Sequence, residues 1–450
     1  MSLSRVARAV GIVIGTAAVL GLAIVVWFAT RPGPMAFVTT ARVELAKYAG
    51  VPTGAPADLP ARDDPLVRGR YLTRAADCEA CHTTPGGKPF AGGRAFKTPF
   101  GTLYSPNITP DPEAGIGNWT DAQFLKAMHE GVRPDGARLY PAFPYASYTY
   151  LTDADVLSIK LYLTTLPAVR QLTPANNLSF PFNQRWLMTF WSAFFNPDER
   201  FRPAPARSPQ WNRGAYLVEG LGHCGDCHTP RNLLQGLDNR RKFAGAVANG
   251  WRAYNITSDR GDGIGAWDDV ELAKYLSTGH AKGHGTAAGP MLEAVELSLR
   301  RLTANDIGAM VVYLQSVPPL QSRELPSELA GPAPAAHDGA AAAHLDAHGK
   351  KIFESACTSC HGWTGEGTVT PYATLTGSRA VNDPSARNVV QAILSGVPPL
   401  PEHPSVFMPA FGYAYSDQEI AAVANYVTAR FGAKASTLSA REVARLRDGE

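Results

Sequence analysis

Three short stretches, Cys78-Glu-Ala-Cys81-His82, Cys224-Gly-Asp-Cys227-His228 and Cys357-Thr-Ser-Cys360-His361, decide how this chain is read. The chain has six cysteines, and these stretches take all of them. None is left to cross-link distant segments, so a disulfide scaffold is excluded. More than the cysteines repeats. Each stretch follows a short helical pattern with a glycine and an aromatic: Gly69 and Tyr71, Gly214 and Tyr216, Gly349 and Phe353. The first two units share Asn107-Ile108-Thr109 with Asn255-Ile256-Thr257, then Gly115-Ile116-Gly117 with Gly263-Ile264-Gly265, with Trp119 and Trp267 at one offset. Gly131, Gly279 and Gly396 each stand where a glycine ends a helix.

Every unit closes on a further helix, opened by a hydroxyl with a carboxylate three residues on: Thr152 and Asp155, Thr303 and Asp306, Ser416 and Glu419. That is the capping-box pattern. Tyr162, Tyr313 and Tyr426 match inside these helices. The unit reads as helix, cysteine motif, long loop, helix, loop, helix. The predicted fold class is all-α, with no sheet.

The 450 residues are 45% hydrophobic and 18% charged, a globular composition. At about 150 residues per domain, three domains fit. The charge balance of 42 − 39 = +3 gives no reason to expect nucleic acid. Ahead of the repeats, residues 9–29 form an uncharged 21-residue run, AVGIVIGTAAVLGLAIVVWFA. At about 1.5 Å per residue it spans a bilayer core of about 30 Å. Cleaved signal peptides carry apolar stretches of only about 7–15 residues. With Arg5 and Arg8 ahead of it, the run is expected to be a retained anchor with its N-terminus in the cytoplasm. The predicted organisation is an anchor over 1–31, units over 60–195, 208–320 and 340–432, and a tail over 433–450. Residues 196–210 and the Pro/Ala-rich 318–347 read as linkers, and the tail as a short basic helix with Val443 and Leu446 inward.

Cys-x-x-Cys-His is the attachment signature of heme c. Two thiols three residues apart can form thioethers to the two vinyl groups of one porphyrin, and the adjacent histidine then sits beneath the iron. A zinc site or a redox dithiol is the alternative for a single motif; three motifs in one frame favour heme. Three covalent hemes are expected, on Cys78 and Cys81, Cys224 and Cys227, and Cys357 and Cys360, with His82, His228 and His361 as axial ligands.

The sixth ligand separates a carrier from an enzyme. Twelve residues past the helix-ending glycine stand two methionines, 279 + 12 = 291 and 396 + 12 = 408. Met291 and Met408 are expected to bind iron from proline-flanked loops, although core packing is the commoner role of methionine. In unit one the same count gives 131 + 12 = 143, and Phe143 cannot bind iron. Met128 is the first candidate there, sharing a helix face with Phe124 and Gly131. It aligns with Leu276 and Ile393, which also suits plain core. His129 comes second, about 100° around the helix, and an open site third. His280 and His284 could compete at the second heme but have no counterparts in the other units; His223 and His403 read as surface or loop.

Three such units behind an anchor resemble the triheme cytochrome c subunits of bacterial membrane-bound periplasmic dehydrogenases, over about residues 60–430. The resemblance rests on Asn107 to Asp111, Leu139 to Tyr145, Gly289-Pro290-Met291 and Met408-Pro409-Ala410-Phe411. It implies three class I cytochrome c-like domains in the periplasm, held to the inner membrane. They would take electrons from a separate catalytic subunit and pass them to ubiquinone or a terminal oxidase. Partners in such complexes include quinoprotein alcohol dehydrogenases, flavoprotein sugar or gluconate dehydrogenases, and molybdenum hydroxylases acting on aldehydes or N-heterocycles. The alcohol-dehydrogenase branch has methionine where this chain has Phe143, which inclines the expectation towards a molybdenum hydroxylase. The second functional class is a heme peroxidase or reductase using an open site on heme one. Residues 180–195 (FPFNQRWLMTFWSAFF) suit a membrane interface, a partner groove or packing between units.

Overall fold

The computed structural model describes residues 3–38, 56–322, 346–399 and 407–449. Most of the spacer between units two and three, and His403, lie outside the described residues. The first helix, α1 (Leu3–Ala29), contains an 18-residue window, Val10–Trp27, of mean hydropathy 2.5 and with none of it buried. By length and composition it can cross a membrane.

Unit one holds α2 (Pro65–Ala75), α3 (Cys78–His82), α4 (Asp121–Glu130), α5 (Tyr145–Tyr148) and α6 (Asp153–Thr164); α7 (Leu187–Phe195) follows it. Unit two holds α8 (Pro209–Ala215), α9 (Gly225–His228), α10 (Asp269–Thr278), α11 (Gly289–Leu297) and α12 (Ala304–Gln315). Unit three holds α13 (Ala347–Ile352), α14 (Thr358–His361), α15 (Arg379–Asn382), α16 (Arg387–Ser395) and α17 (Asp417–Phe431). The tail forms α18 (Ala440–Asp448), whose Val443 and Leu446 are buried against unit three.

One device builds each unit. The opening helix crosses the closing helix at a glycine, because nothing larger fits. A Cβ on Gly69 would lie 1.8 Å from the Ser158 carbonyl oxygen, one on Gly214 1.9 Å from that of Ala309, and one on Gly349 2.1 Å from that of Ala422. The Cβ atoms of Tyr162, Tyr313 and Tyr426 close the same three crossings. Thus the repeated Gly and Tyr are two sides of one contact.

Units one and two are locked together reciprocally, as in an isologous interface. Tyr71 of unit one donates to Asp306 of unit two at 2.6 Å, and Tyr216 of unit two donates to Asp155 of unit one at 2.5 Å. Each carboxylate also takes the arginine ahead of its own unit's crossing glycine: Arg213 Nε lies 2.7 Å from Asp306, and Arg68 Nε 2.7 Å from Asp155. The two units share one continuous core that runs from Tyr71 and Leu72 through Tyr216 and Leu217 to Tyr313.

That lock changes the expected caps. Thr152 and Thr303 accept the Asp155 and Asp306 backbone N–H groups, but the aspartate side chains turn to the lock instead of back to the cap. Of the three closing helices, α17 alone has the full reciprocal box, between Ser416 and Glu419. Unit three departs at the other lock position too. Two residues past Gly349 stands exposed Lys351, not an aromatic, so Phe353 is no spatial counterpart of Tyr71 and Tyr216. Unit three has its own core around Phe353, Tyr426 and Phe431. It docks on unit two through side chains laid on a strand edge, Asn388 bonding the Arg252 N–H at 2.8 Å and its carbonyl at 2.9 Å.

The all-α expectation needs one correction, because short antiparallel strands occur. They are β1 (Ala95–Thr98), β2 (Gly101–Tyr104) and β3 (Asn177–Leu178) in one sheet, with β4 (Ala246–Ala248) and β5 (Trp251–Ala253), and β6 (His280–Ala281) and β7 (Gly285–Thr286), as two ribbons. The long loops return on themselves, and backbone groups brought side by side pair. At the β4–β5 turn Asn249 and Gly250 take φ of 51° and 78°, as a tight two-residue hairpin requires.

Candidate cofactor sites

The three Cys-x-x-Cys-His motifs lie on the short helices α3, α9 and α14. Each places its histidine against a backbone carbonyl. His82 Nδ1 is 2.8 Å from the Pro106 oxygen, His228 Nδ1 2.6 Å from that of Tyr254, and His361 Nδ1 2.7 Å from that of Ala373. A carbonyl only accepts, so Nδ1 carries the proton and Nε2 keeps its lone pair free to bind a metal. Burial lowers the pKa of all three rings, against the opposing pull of the carbonyls, which favours the neutral ligand form.

The six cysteines are unpaired by disulfides. Burial pushes the thiols of Cys81 and Cys224 up to about 12 and those of Cys227 and Cys357 to about 11, and raises Cys78 further. A redox dithiol or a zinc site needs the opposite, a thiolate made easy by nearby positive charge. These apolar surroundings suit sulfur held as an uncharged thioether.

A cavity of about 650 Å³ joins the second and third motifs. Cys227, His228 and Met291 line one part of it; Cys360, His361 and Met408 line the other. Such a volume is of the size of small-molecule and cofactor sites. Donor set and space therefore fit a covalently held porphyrin. Met291 is not on a loop as expected. It lies in the first turn of α11, where Pro290 costs no helical hydrogen bond. Gly289 ahead of it has φ of 54°, and a Cβ there would meet the Trp251 ring at 2.3 Å. Met408 is held by a two-way backbone bridge to Val397, at 2.9 and 3.0 Å.

His280 and His284 are held by other contacts. His284 stacks on Trp267 at 3.8 Å, with Nε2 3.1 Å from Glu271, and His280 Nδ1 lies 2.9 Å from the Thr286 hydroxyl. His223 lies in a loop, as expected, but not on the open surface. It is half-buried at the joint of units one and two, edge-on to Tyr148 at 5.6 Å.

In unit one, Met128 is 5% exposed and packs in the core with Phe124, while Phe143 lies against that core, edge-on to Tyr148 at 5.4 Å. His129 is buried as well. Its Nδ1 is 3.7 Å from Asp153, and its Nε2 has no hydrogen-bond partner among the described residues. Burial, reinforced by Arg200, lowers its pKa to about 4.

One cluster has no sequence signal. Arg94 donates to the Ala80 carbonyl and makes a two-pronged ion pair with Glu293 of unit two, one prong at 2.8 Å. Beside it Asp77 is half-buried, with its Oδ1 buried and unpartnered among the described residues, and desolvation with nearby Glu293 raises its pKa well above its ordinary value. Arg94 and Glu293 occupy unrelated positions of their repeats, so comparing the repeats could not reveal the pair.

The sequence profile of the cytochrome c family matches residues 347–430, most of unit three. Among similar proteins, a nicotinate dehydrogenase subunit of Pseudomonas putida is 43% identical over 378 residues; these cover 82% of this chain but only 30% of that longer protein. The fructose dehydrogenase cytochrome subunit of Gluconobacter japonicus is 40% identical, covering 88% of this chain and 85% of the relative. The gluconate 2-dehydrogenase cytochrome c subunit of Pantoea cypripedii is 36% identical, covering 88% and 92%.

Proposed function

The chain belongs to the cytochrome c subunits of membrane-bound dehydrogenases, which relay electrons, and from that premise we propose that it does so through three covalent hemes c in three tandem cytochrome c domains. The observation that carries this is the single cavity lined by His228, Met291, His361 and Met408 beside two of three equivalent motifs. Cys78 and Cys81, Cys224 and Cys227, and Cys357 and Cys360 would hold the porphyrins, and His82, His228 and His361 would offer Nε2 to the irons. When bound, heme c supplies one-electron exchange at its iron. The Pro106, Tyr254 and Ala373 carbonyls fix the Nδ1 protons, so each ligand stays neutral and oriented. Met291 and Met408 would supply thioether donors to the iron, and the apolar walls of the cavity would keep water from it. The same role at heme one is assigned to Met128, with Phe143 filling the space that methionine occupies in the other units.

The helix α1 anchors the chain in the bacterial inner membrane, with the heme units in the periplasm. The donor is a catalytic dehydrogenase subunit. A molybdenum hydroxylase is favoured over a quinoprotein or flavoprotein, supported by Phe143 and by a relative named for nicotinate, an N-heterocycle. Electrons leave to ubiquinone or a terminal oxidase. A heme peroxidase or reductase is not favoured, since relatives covering most of this chain are cytochrome subunits of dehydrogenases. Isolating the native complex and adding a donor panel tests this reading. Reduction of the heme absorbance by an N-heterocycle or aldehyde is expected. Reduction by fructose, gluconate or ethanol alone would overturn the choice of partner, and no reduction by any donor would overturn the relay. For heme one, Met128→Leu should cut the oxidised near-infrared thioether–iron signatures from three to two; an unchanged two before and after would remove Met128 from the ligand set.

A further inference from the structure

Helix α7 is apolar on the wrong side for a core helix. It has no charged residue, and Trp186 just ahead of it, Phe190 and Phe194 stand at i, i+4 and i+8, which is one stripe. They are 61%, 58% and 39% exposed. The other aromatics face inward: Trp191 lies edge-on to Tyr145 at 5.8 Å and donates to the Leu234 carbonyl at 2.8 Å, and Phe195 fills the space over Gly236. Through that hydrogen bond α7 sits beside a loop tip whose Leu233 is fully exposed and Leu234 half-exposed. An apolar face this large on a secreted unit needs an occupant.

The occupant is indicated by what holds the C-terminal end of α7. Arg31, just past the end of α1, donates to the Phe194 carbonyl and lies 4.6 Å from the Phe195 ring and 5.4 Å from the Trp27 ring. Arg240, from the loop beyond Leu233 and Leu234, lies 5.7 Å from the Trp27 ring as well. Trp27 ends the apolar window of α1, the level at which tryptophans mark the edge of a bilayer. Arg185, next to Trp186, and Arg31 supply positive charge at both ends of the stripe. Nine residues at about 1.5 Å each reach only about 14 Å, too short to span. Such a helix can lie in the interface with its apolar side among the lipids.

We propose that Trp186, Phe190, Phe194 and the Leu233–Leu234 tip form a second membrane contact, lying flat in the headgroup region of an anionic bilayer beside the exit of α1. This rests on the reading of α1 as an anchor. The contact fixes the height and tilt of unit one over the bilayer, because the segment leading into α7 also covers the loop before Phe143: Arg185 donates to the Arg138 carbonyl at 3.0 Å, and Tyr140 to that of Phe182 at 3.0 Å.

The test uses full-length holoprotein in vesicles of phosphatidylethanolamine and phosphatidylglycerol. Nitroxide labels are placed singly on Phe190→Cys, Leu233→Cys and, as a water-facing control in unit three, Tyr413→Cys, and heme absorbance confirms each fold. Power-saturation spectroscopy should find the labels at 190 and 233 more accessible to oxygen than to a nickel chelate, and the control the reverse. Fully exposed Leu233 keeps the test valid if Phe190→Cys misfolds. Labels at 190 and 233 as open to nickel as the control would overturn the proposal. Labels shielded from both colliders would also overturn it, in favour of a catalytic subunit or a second copy. Flotation of the same vesicles reports α1 separately, so a failed anchor is not mistaken for a failed contact.

Discussion

Units one and two carry tyrosine two residues past the crossing glycine and aspartate at the third position of the closing helix; unit three carries Lys351 and Glu419. The helical frame is otherwise one. In the first pair these side chains reach across and are buried, Tyr71 on Asp306 and Tyr216 on Asp155. In unit three the lysine is exposed and the glutamate returns to its own cap. Two positions per repeat thus separate units fused into one core from a unit that docks by its edge. With the hemes proposed above, the fused pair would fix the spacing of its cofactors, whereas the docked unit keeps a core of its own.

Asp306→Ala would break the comparison most strongly. It leaves the Arg213 guanidinium buried without its carboxylate and deprives the Tyr71 hydroxyl of its acceptor. Losing one partner of a buried ion pair costs about 3–5 kcal/mol. Denaturant unfolding should show units one and two destabilised together and unit three unmoved. Glu419→Ala should leave the pair's transition unchanged.

Asp383→Ala acts on docking. Asp383 is buried, 3.2 Å from Arg252 and 3.3 Å from the Tyr254 hydroxyl. Its removal should cost about 1–3 kcal/mol, mostly the desolvation of groups left unpaired. Amide exchange should rise on β5 and along α15 and α16, with the core of each body still protected.

A smaller effect sets unit one apart from both others. Two residues before the helix-ending glycine it carries His129, where units two and three have Ser277 and Leu394. Because burial lowers the folded pKa of His129 to about 4, folding favours the neutral ring. Its contribution is fully present above the unfolded value of about 6.5 and is lost as pH falls towards 4, a change on the order of 1–3 kcal/mol. His129→Phe should flatten the stability of the fused pair between pH 6.5 and 4, read by thermal unfolding.

The repeat, its motifs and the helices were legible in the sequence because each is local. Gly69, Gly214 and Gly349, with their tyrosines, repeat visibly because one crossing recurs. The lock between units was not legible: a Tyr71–Asp306 contact bridges more than two hundred residues, and the hydroxyl–x–x–carboxylate pattern has an ordinary local reading as a cap. Phe353 misled as an aromatic at roughly the right distance, until the crossing glycine set the register at Lys351. The β4–β5 ribbon could have been found, since Asn249-Gly250 is a hairpin signal. Met291 sits in a helix because Pro290 and Gly289 start one. Those two residues also read as a loop, so the local chemistry alone could not decide.

The central claim is three hemes on one chain. Pyridine hemochrome absorbance of the purified full-length protein, set against protein mass, measures it most directly. The account predicts three covalent hemes per chain, falling to two when Cys357 and Cys360 are both replaced by serine. Two or fewer in the unaltered protein would contradict it.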